Sequence, residues 1–162
     1  MKIAIVLGKG GHTRQGIKLA ESLKDYVELV YIMSKTNELG EKKIRNKKLP
    51  GTIIHVDSPR DDPHASKIKS AYRTIKTFFV MLNLLRKHKI AAVASPGSGL
   101  TVPVFFAAKV LGLYTFYIES LSRIKELSMT GKIMYGRTDL FFVQWKELAK
   151  KYPKAIYRGK LI

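Results

Sequence analysis

The chain reads as α/β, with a parallel sheet covered by helices on both faces. Apolar runs alternate with amphipathic segments along its whole length. The run Ile3-Ala4-Ile5-Val6-Leu7 is apolar at every position, as expected of a parallel strand buried on both faces. Two strand–glycine turn–helix units, at Gly8–Thr13 and Ser95–Gly99, repeat the same local design.

Taken in order, strand one covers Lys2–Leu7 and an amphipathic helix follows over Thr13–Lys24. Strand two is Val27–Met33. A polar, lysine-rich loop is expected over Ser34–Gly51, then strand three over Thr52–Val56. The loop Asp57–Pro63 leads into a long helix, His64–Lys89. Strand four is Ile90–Ala94, a helix runs over Leu100–Leu111, and strand five is Tyr114–Ile118. A helix is expected over Ser122–Tyr135, strand six at Leu140–Val143, a short helix at Trp145–Lys151 and a last strand at Ala155–Tyr157. No repeat or low-complexity segment interrupts this order, and 162 residues suit a single domain, 1–162.

The long helix carries an apolar stripe of Ile68, Tyr72, Ile75, Phe79, Leu82 and Leu85. Lys67, Lys69, Arg73, Lys76, Arg86, Lys87 and Lys89 share it, with no acid between His64 and Lys89. Most of the stripe is expected to pack on the core. The sharper reading lays its exposed part on an anionic membrane surface, with Phe78 and Met81 adding apolar contact.

Charge narrows the partners. Thirty Lys and Arg stand against 12 Asp and Glu, a net charge of +18. Nucleic acid, an anionic membrane or a phosphorylated substrate would each be attracted. Lysine-rich surfaces also occur in proteins of hot environments, but those are rich in glutamate too, and acids are scarce here. Cysteine is absent, which excludes disulfides and thiolate metal sites. No secretory signal is visible. The longest apolar stretch, Leu100 to Ser120, is interrupted by Lys109, Gly112 and Glu119, whereas a membrane span needs about 20 mostly apolar residues.

Both glycine turns open at the carboxyl edge of a parallel sheet, where ligands bind. Backbone N–H groups at a helix N-terminus favour an anion, typically phosphate. The first turn is no P-loop, since no Gly-Lys-Ser/Thr triplet closes it. Nor is it a dinucleotide fingerprint: Thr13 stands where a third glycine belongs, and strand two ends in Tyr31-Ile32-Met33 without an acid for a ribose. His12, in the first turn, suits a general base, a donor to a phosphate oxygen, or a helix cap. Glu119 ends strand five and could orient His12, bind sugar hydroxyls or cap the next helix. Arg123, four residues on, could pair with Glu119 or contact phosphate. Thr130-Gly131-Lys132 is a weaker phosphate-compatible cluster.

These residues resemble a known family. Gly8-Lys9-Gly10-Gly11-His12-Thr13, Ser95-Pro96-Gly97-Ser98-Gly99 and Val102-Pro103 are similar to the acceptor-binding subunit of a two-subunit glycosyltransferase. The likeness continues through Tyr117-Ile118-Glu119-Ser120, Leu127–Lys132, Phe141–Trp145 and Tyr152–Ala155, so it covers about residues 3–162. That enzyme adds the second N-acetylglucosamine to a lipid-linked N-acetylglucosaminyl diphosphate in N-glycan precursor assembly. Similar half-enzymes make bacterial polysaccharides, and MurG is a more distant likeness.

The resemblance implies a Rossmann-like domain equivalent to the N-terminal half of a GT-B glycosyltransferase. It implies a separate UDP-N-acetylglucosamine-binding partner, inactivity without it, and inversion at the donor carbon without a cofactor or tightly bound metal. Gly10, Gly11, Thr13, Gly97, Ser98 and Gly99 would cradle the acceptor diphosphate. His12 would be the base on the acceptor 4-hydroxyl. On the reading of the residues themselves, Glu119 joins it as a catalytic candidate, and Lys9 and Arg123 are phosphate-binding or structural candidates. Gln15 stands where the family often has an acid, and Lys9 where it often has serine. Eukaryotic members carry an N-terminal membrane anchor that is not seen here, so the basic, aromatic surface would attach the chain peripherally to the cytoplasmic face of a membrane. The competing readings are a polysaccharide-type half-enzyme, a stand-alone nucleotide binder and a basic nucleic-acid binder. Against the last, no nucleic-acid motif is present and the aromatics lie in apolar stripes.

Overall fold

A computed structural model describes residues 1–58 and 66–161. The expected loop residues Pro59–Pro63 and the helix start at His64 lie outside the described residues, as does the Lys67 side chain. The elements in chain order are β1 (Lys2–Leu7), α1 (Gly11–Leu23), β2 (Glu28–Ser34), α2 (Glu38–Asn46), β3 (Thr52–Val56), α3 (Lys67–Lys87) and β4 (Ala92–Ser95), then α4 (Thr101–Val110), β5 (Tyr114–Ile118), α5 (Met129–Met134), β6 (Leu140–Val143), α6 (Lys146–Lys151) and β7 (Ile156–Tyr157). The strands form one 7-stranded sheet in the order β3-β2-β1-β4-β5-β6-β7, parallel throughout. The strand order reverses between β1 and β4, and their carboxyl ends flank the switch point of an open α/β sheet.

The two faces are covered unequally. Ile17 and Ala20 of α1 and Ile44 of α2 pack on Ile5, Leu7, Tyr31 and Met33 of one face. Met81 and Leu85 of α3, Val104 and Phe105 of α4, Met134 of α5 and Leu148 of α6 cover the other, over Val6, Ile32, Val93, Tyr117 and Phe141. The roof of the α1 face reaches β4, where Leu19 packs against the buried Ala92 and Ala94. Beyond it, half-buried Phe116, Ile118 and Phe142 line a groove of about 560 Å³.

Three expectations change. The loop after β2 contains a helix, α2, because Asn37 caps it by accepting from Gly40 N–H, Glu38 and Glu41 sit in its first turn, and Lys43 and Arg45 in its last. The helix expected over Ser122–Tyr135 shrinks to α5, capped by Ser128 accepting from Gly131 N–H at 2.9 Å. The segment before it stays irregular because side chains take its backbone donors: Glu119 those of Ser120 and Ser128, and Gln15 that of Leu121.

The third change concerns α3. Ile68, Tyr72, Ile75 and Phe79 are 83%, 68%, 58% and 63% exposed, not packed on the core. The buried line is Thr77, Met81 and Leu85, at steps of four residues. Length explains it. A helix of 21 residues is about 31 Å long, while β4 with 4 residues spans about 13 Å. Only the C-terminal half of α3 finds a sheet to pack on, so the N-terminal half overhangs the carboxyl edge. Met81 is fully buried and offers no surface contact, while Phe78 packs partly buried against the core.

Candidate functional site

The loops after β1 and β4 meet at the switch point. A Cβ on Gly8 would lie 2.7 Å from Ser98 Cβ, so the two turns approach this closely only because residue 8 has no side chain. Gly97 has φ +86°, and a Cβ there would lie 2.9 Å from Tyr117 Oη. Together the turns border a cavity of about 370 Å³ lined by Gly8, Lys9, His12, Gly97, Ser98 and Gly99, with Arg123, Ser128 and Thr130 across from them.

His12 lies in the first turn of α1. Its Nδ1 is 3.0 Å from the Pro96 carbonyl oxygen. A carbonyl only accepts, so Nδ1 carries the proton and the lone pair of the neutral ring is on Nε2. One turn thus fixes the tautomer of a side chain held by the other.

The first turn is braced from behind. Thr13 is 3% exposed, and its hydroxyl donates to the Gly8 carbonyl. Asn37 Nδ2 donates to the same carbonyl at 3.0 Å. Thr13 therefore shapes the turn instead of facing the main cavity. Gly10, at φ +62°, opens on a neighbouring hollow with Asn37 and Lys43, and Gly11 lines neither space. In the second turn, Ser95 Oγ lies 2.7 Å from Thr101 Oγ1 and accepts from Gly97 N–H at 3.2 Å, which ties the turn to α4.

Glu119 does not stand beside His12 in the cavity wall. It is 0% exposed, and its carboxylate accepts from Ser120 N–H at 2.7 Å, Ser128 N–H at 3.0 Å and Ser128 Oγ at 3.2 Å. Burial pushes its pKa up; these bonds and the charge of Arg123 pull back against it. The carboxylate clamps the loop that carries Arg123 and Ser128 to the cavity. The carboxylate's hydrogen bonds all run into that loop, and none of them reaches His12. Tyr117, stacked on Phe141 at 4.9 Å, has a pKa raised chiefly by burial and next by the Glu119 charge.

A second brace was not legible in advance. Gln15 Oε1 accepts from Gln144 Nε2 at 2.6 Å and from Leu121 N–H at 3.3 Å. Gln144 Nε2 also donates to the Glu119 carbonyl at 2.8 Å, and Trp145 Nε1 donates to the Leu121 carbonyl at 2.7 Å. An amide at residue 15 joins α1 to the far wall of the cavity. Among the described residues, no group of three His, Cys, Asp or Glu side chains is placed to hold a metal ion.

Residues 3–161 match the family model described as "Oligosaccharide biosynthesis protein Alg14 like". The chain belongs to the Alg14 family. It is 31% identical to the UDP-N-acetylglucosamine transferase subunit ALG14 of Rattus norvegicus, over 99% of this chain and 82% of that protein. Against the human protein of the same name identity is 30%, over 100% and 83% of the two chains. The Rossmann-like α/β fold is shared with solved structures: Acinetobacter baumannii MurG superposes with a TM-score of 0.74 at 17% identity, over 90% of this chain and 42% of MurG. A UDP-N-acetylglucosamine 2-epimerase superposes at 0.78 and 11% identity, over 99% of this chain and 48% of that one. The chain thus spans less than half of either solved structure. The expected family and Rossmann-like fold both stand, and the chain is a glycosyltransferase subunit.

Proposed function

We propose that this chain is the acceptor-binding half of a two-chain transferase, which moves N-acetylglucosamine from UDP-N-acetylglucosamine to a lipid-diphosphate-linked N-acetylglucosamine. The observation that carries the reading is His12: a histidine of fixed tautomer, in a cavity walled by two glycine turns and two cations, at the switch point. The acceptor diphosphate sits against the Gly97–Gly99 turn and the N-terminus of α4, with Lys9 and Arg123 balancing its charge. His12 Nε2 takes the proton of the acceptor 4-hydroxyl as that oxygen bonds to the donor anomeric carbon. UDP departs from the opposite side, so the configuration inverts. General-base help of this kind contributes about 10²–10⁴-fold in rate.

Two observations support a separate donor-binding subunit: the relatives are named as subunits, and half-buried Phe116, Ile118 and Phe142 line an apolar groove on the sheet face over β5 and β6. Peripheral attachment to the cytoplasmic face of an anionic membrane is supported by α3, whose overhanging half alternates exposed Ile68, Tyr72, Ile75 and Phe79 with Lys69, Arg73 and Lys76. No helix among the described residues is long and apolar enough to cross a membrane.

The test is transfer of radiolabelled N-acetylglucosamine to a short-chain lipid diphosphate-N-acetylglucosamine, by this chain alone and with its donor-binding subunit. Product only from the pair is expected, and His12→Ala should lower kcat by about 10²–10⁴-fold with acceptor KM little changed. A wild-type co-purifying pair that transfers nothing to this acceptor removes the assignment of sugar and lipid. Full turnover by His12→Ala removes the base.

A further inference from the structure

Among the described residues, the cavity at the glycine turns is not closed at its β3 side. Ser58 lines it and also lines a second cavity of about 580 Å³ between the carboxyl end of β3 and α3. The Thr77 hydroxyl donates to the Asp57 carbonyl at 3.1 Å, which fixes α3 against the end of β3 and sets the spacing of the two walls. Val56, Tyr72, Val80 and Leu84 give this second cavity its apolar part, Lys35, His55, Asp57 and Arg73 line it beside them, and Lys69 and Lys76 stand at its exposed side. It lies beneath the overhanging half of α3, on the helix that also carries the exposed Ile75 and Phe79.

We propose that this groove holds the first isoprenoid units of the acceptor lipid, those joined directly to the diphosphate. The inference rests on the acceptor-binding function above. An acceptor of that kind changes along its length from an anion to a branched hydrocarbon. The protein surface changes in the same order: backbone donors and cations around Gly97–Gly99, then Ser58, then Val56, Val80 and Leu84. A chain leaving the diphosphate past Ser58 exchanges water for the apolar wall of Val56, Val80 and Leu84, in a cavity that the Lys35–Asp57 ion pair and Arg73 also line. The lysines at the exposed side are long enough to cover hydrocarbon with their methylene stems while their ammonium groups stay in water. The groove thus selects for the lipid itself, separately from any attachment of the protein to a membrane.

The experiment uses the pair of subunits in solution free of membrane and detergent. The acceptors are N-acetylglucosaminyl diphosphates bearing a farnesyl or an isopentenyl chain, below their micellar concentrations. The wild-type pair should show a higher kcat/KM for the farnesyl acceptor. Val80→Asp and Tyr72→Ser should each lower the farnesyl-to-isopentenyl ratio by about tenfold. Val80 and Tyr72 are 41% and 68% exposed, so the fold tolerates both changes. Transfer to both acceptors with a wild-type ratio near one, or with a ratio neither variant moves, overturns the groove while the function stands. No transfer to either acceptor by the wild-type pair overturns both.

Discussion

Replacing Glu119 separates a structural carboxylate from a catalytic one. Alanine removes the acceptor of three donors: the Ser120 and Ser128 backbone N–H groups and the Ser128 hydroxyl. The hydroxyl re-pairs, since it already meets Gly131 N–H at 2.9 Å and Tyr117 Oη at 3.3 Å. The two backbone donors lose the acceptor they have, and each orphaned buried donor costs about 1–3 kcal/mol. Loss of the buried charge gives part of this back, because desolvation is the largest influence on the carboxyl and raises its pKa. The net expectation for Glu119→Ala is a loss of about 2–4 kcal/mol, or roughly 5–15 °C in Tm for a chain of this length. Glu119→Gln keeps an acceptor for Ser120 but turns an NH₂ toward Ser128 N–H, and should lose about half as much. The pH dependence has a definite sign. A carboxyl with a raised folded pKa contributes stability that is full below its unfolded pKa and is lost as pH rises through the folded value. The glutamine variant lacks that slope, so wild type should gain on it as pH falls. The readout is urea unfolding followed by the single tryptophan, Trp145, whose indole bonds Leu121 in the clamped loop. A Glu119→Ala protein with unchanged Tm and no turnover would refute the reasoning and return Glu119 to the chemistry.

Gly131→Ala attacks the same clamp from outside, since its Cβ would lie 1.9 Å from Glu119 Oε2; a loss of about 2–4 kcal/mol is expected in urea unfolding. Gly97→Ala combines φ +86° with a Cβ 2.9 Å from Tyr117 Oη. It should cost about 1–3 kcal/mol and raise the acceptor KM more than it lowers kcat, as steady-state kinetics will show. Asp139 is partly desolvated, which raises its pKa, but bonds from Lys109 at 2.9 Å and Thr115 at 2.8 and 2.7 Å outweigh this and hold it below the usual range. Its contribution is present above the ordinary carboxylate range and lost as pH falls through the lowered value, so Asp139→Asn should flatten the acid limb of a Tm-against-pH curve.

The parallel sheet and its carboxyl-edge turns were legible because strands such as Ile3–Leu7 carry their burial in their own composition. Strand six, Leu140–Val143, fell on its observed bounds for the same reason. The α2 helix was not, because Ile44 is its only buried apolar side chain and periodicity is silent on so narrow a contact. Its cap was readable, in Asn37 followed by Glu38 and Glu41. The α3 stripe was misplaced because helical periodicity reports which side chains share a face, not how far the sheet extends beneath it. Lys9, His12, Arg123 and the Gly97–Gly99 turn were found from local motifs and do line one cavity. The bonds of Gln15, Gln144 and Glu119 were beyond reach, since each joins more than one element and no spacing in sequence records that.

The same topology that places the cavity also divides the surface around it. Right-handed crossovers put α1 and α2 on one face while the chain moves from β1 to β3. They put every later helix on the other face once it returns to β4 and continues outward. The roofed face ends in the overhang of α3, basic and apolar together. Among the described residues, the opposite face leaves Phe116, Ile118 and Phe142 half-buried over β5 and β6, lining a groove. On the proposed function, a lipid along α3 and a protein over the β5–β6 face would approach the cavity from opposite sides of one sheet. Neither would have to yield its surface to the other, as a half-enzyme requires if its two ligands are to be held at once for the acceptor oxygen to meet the donor carbon.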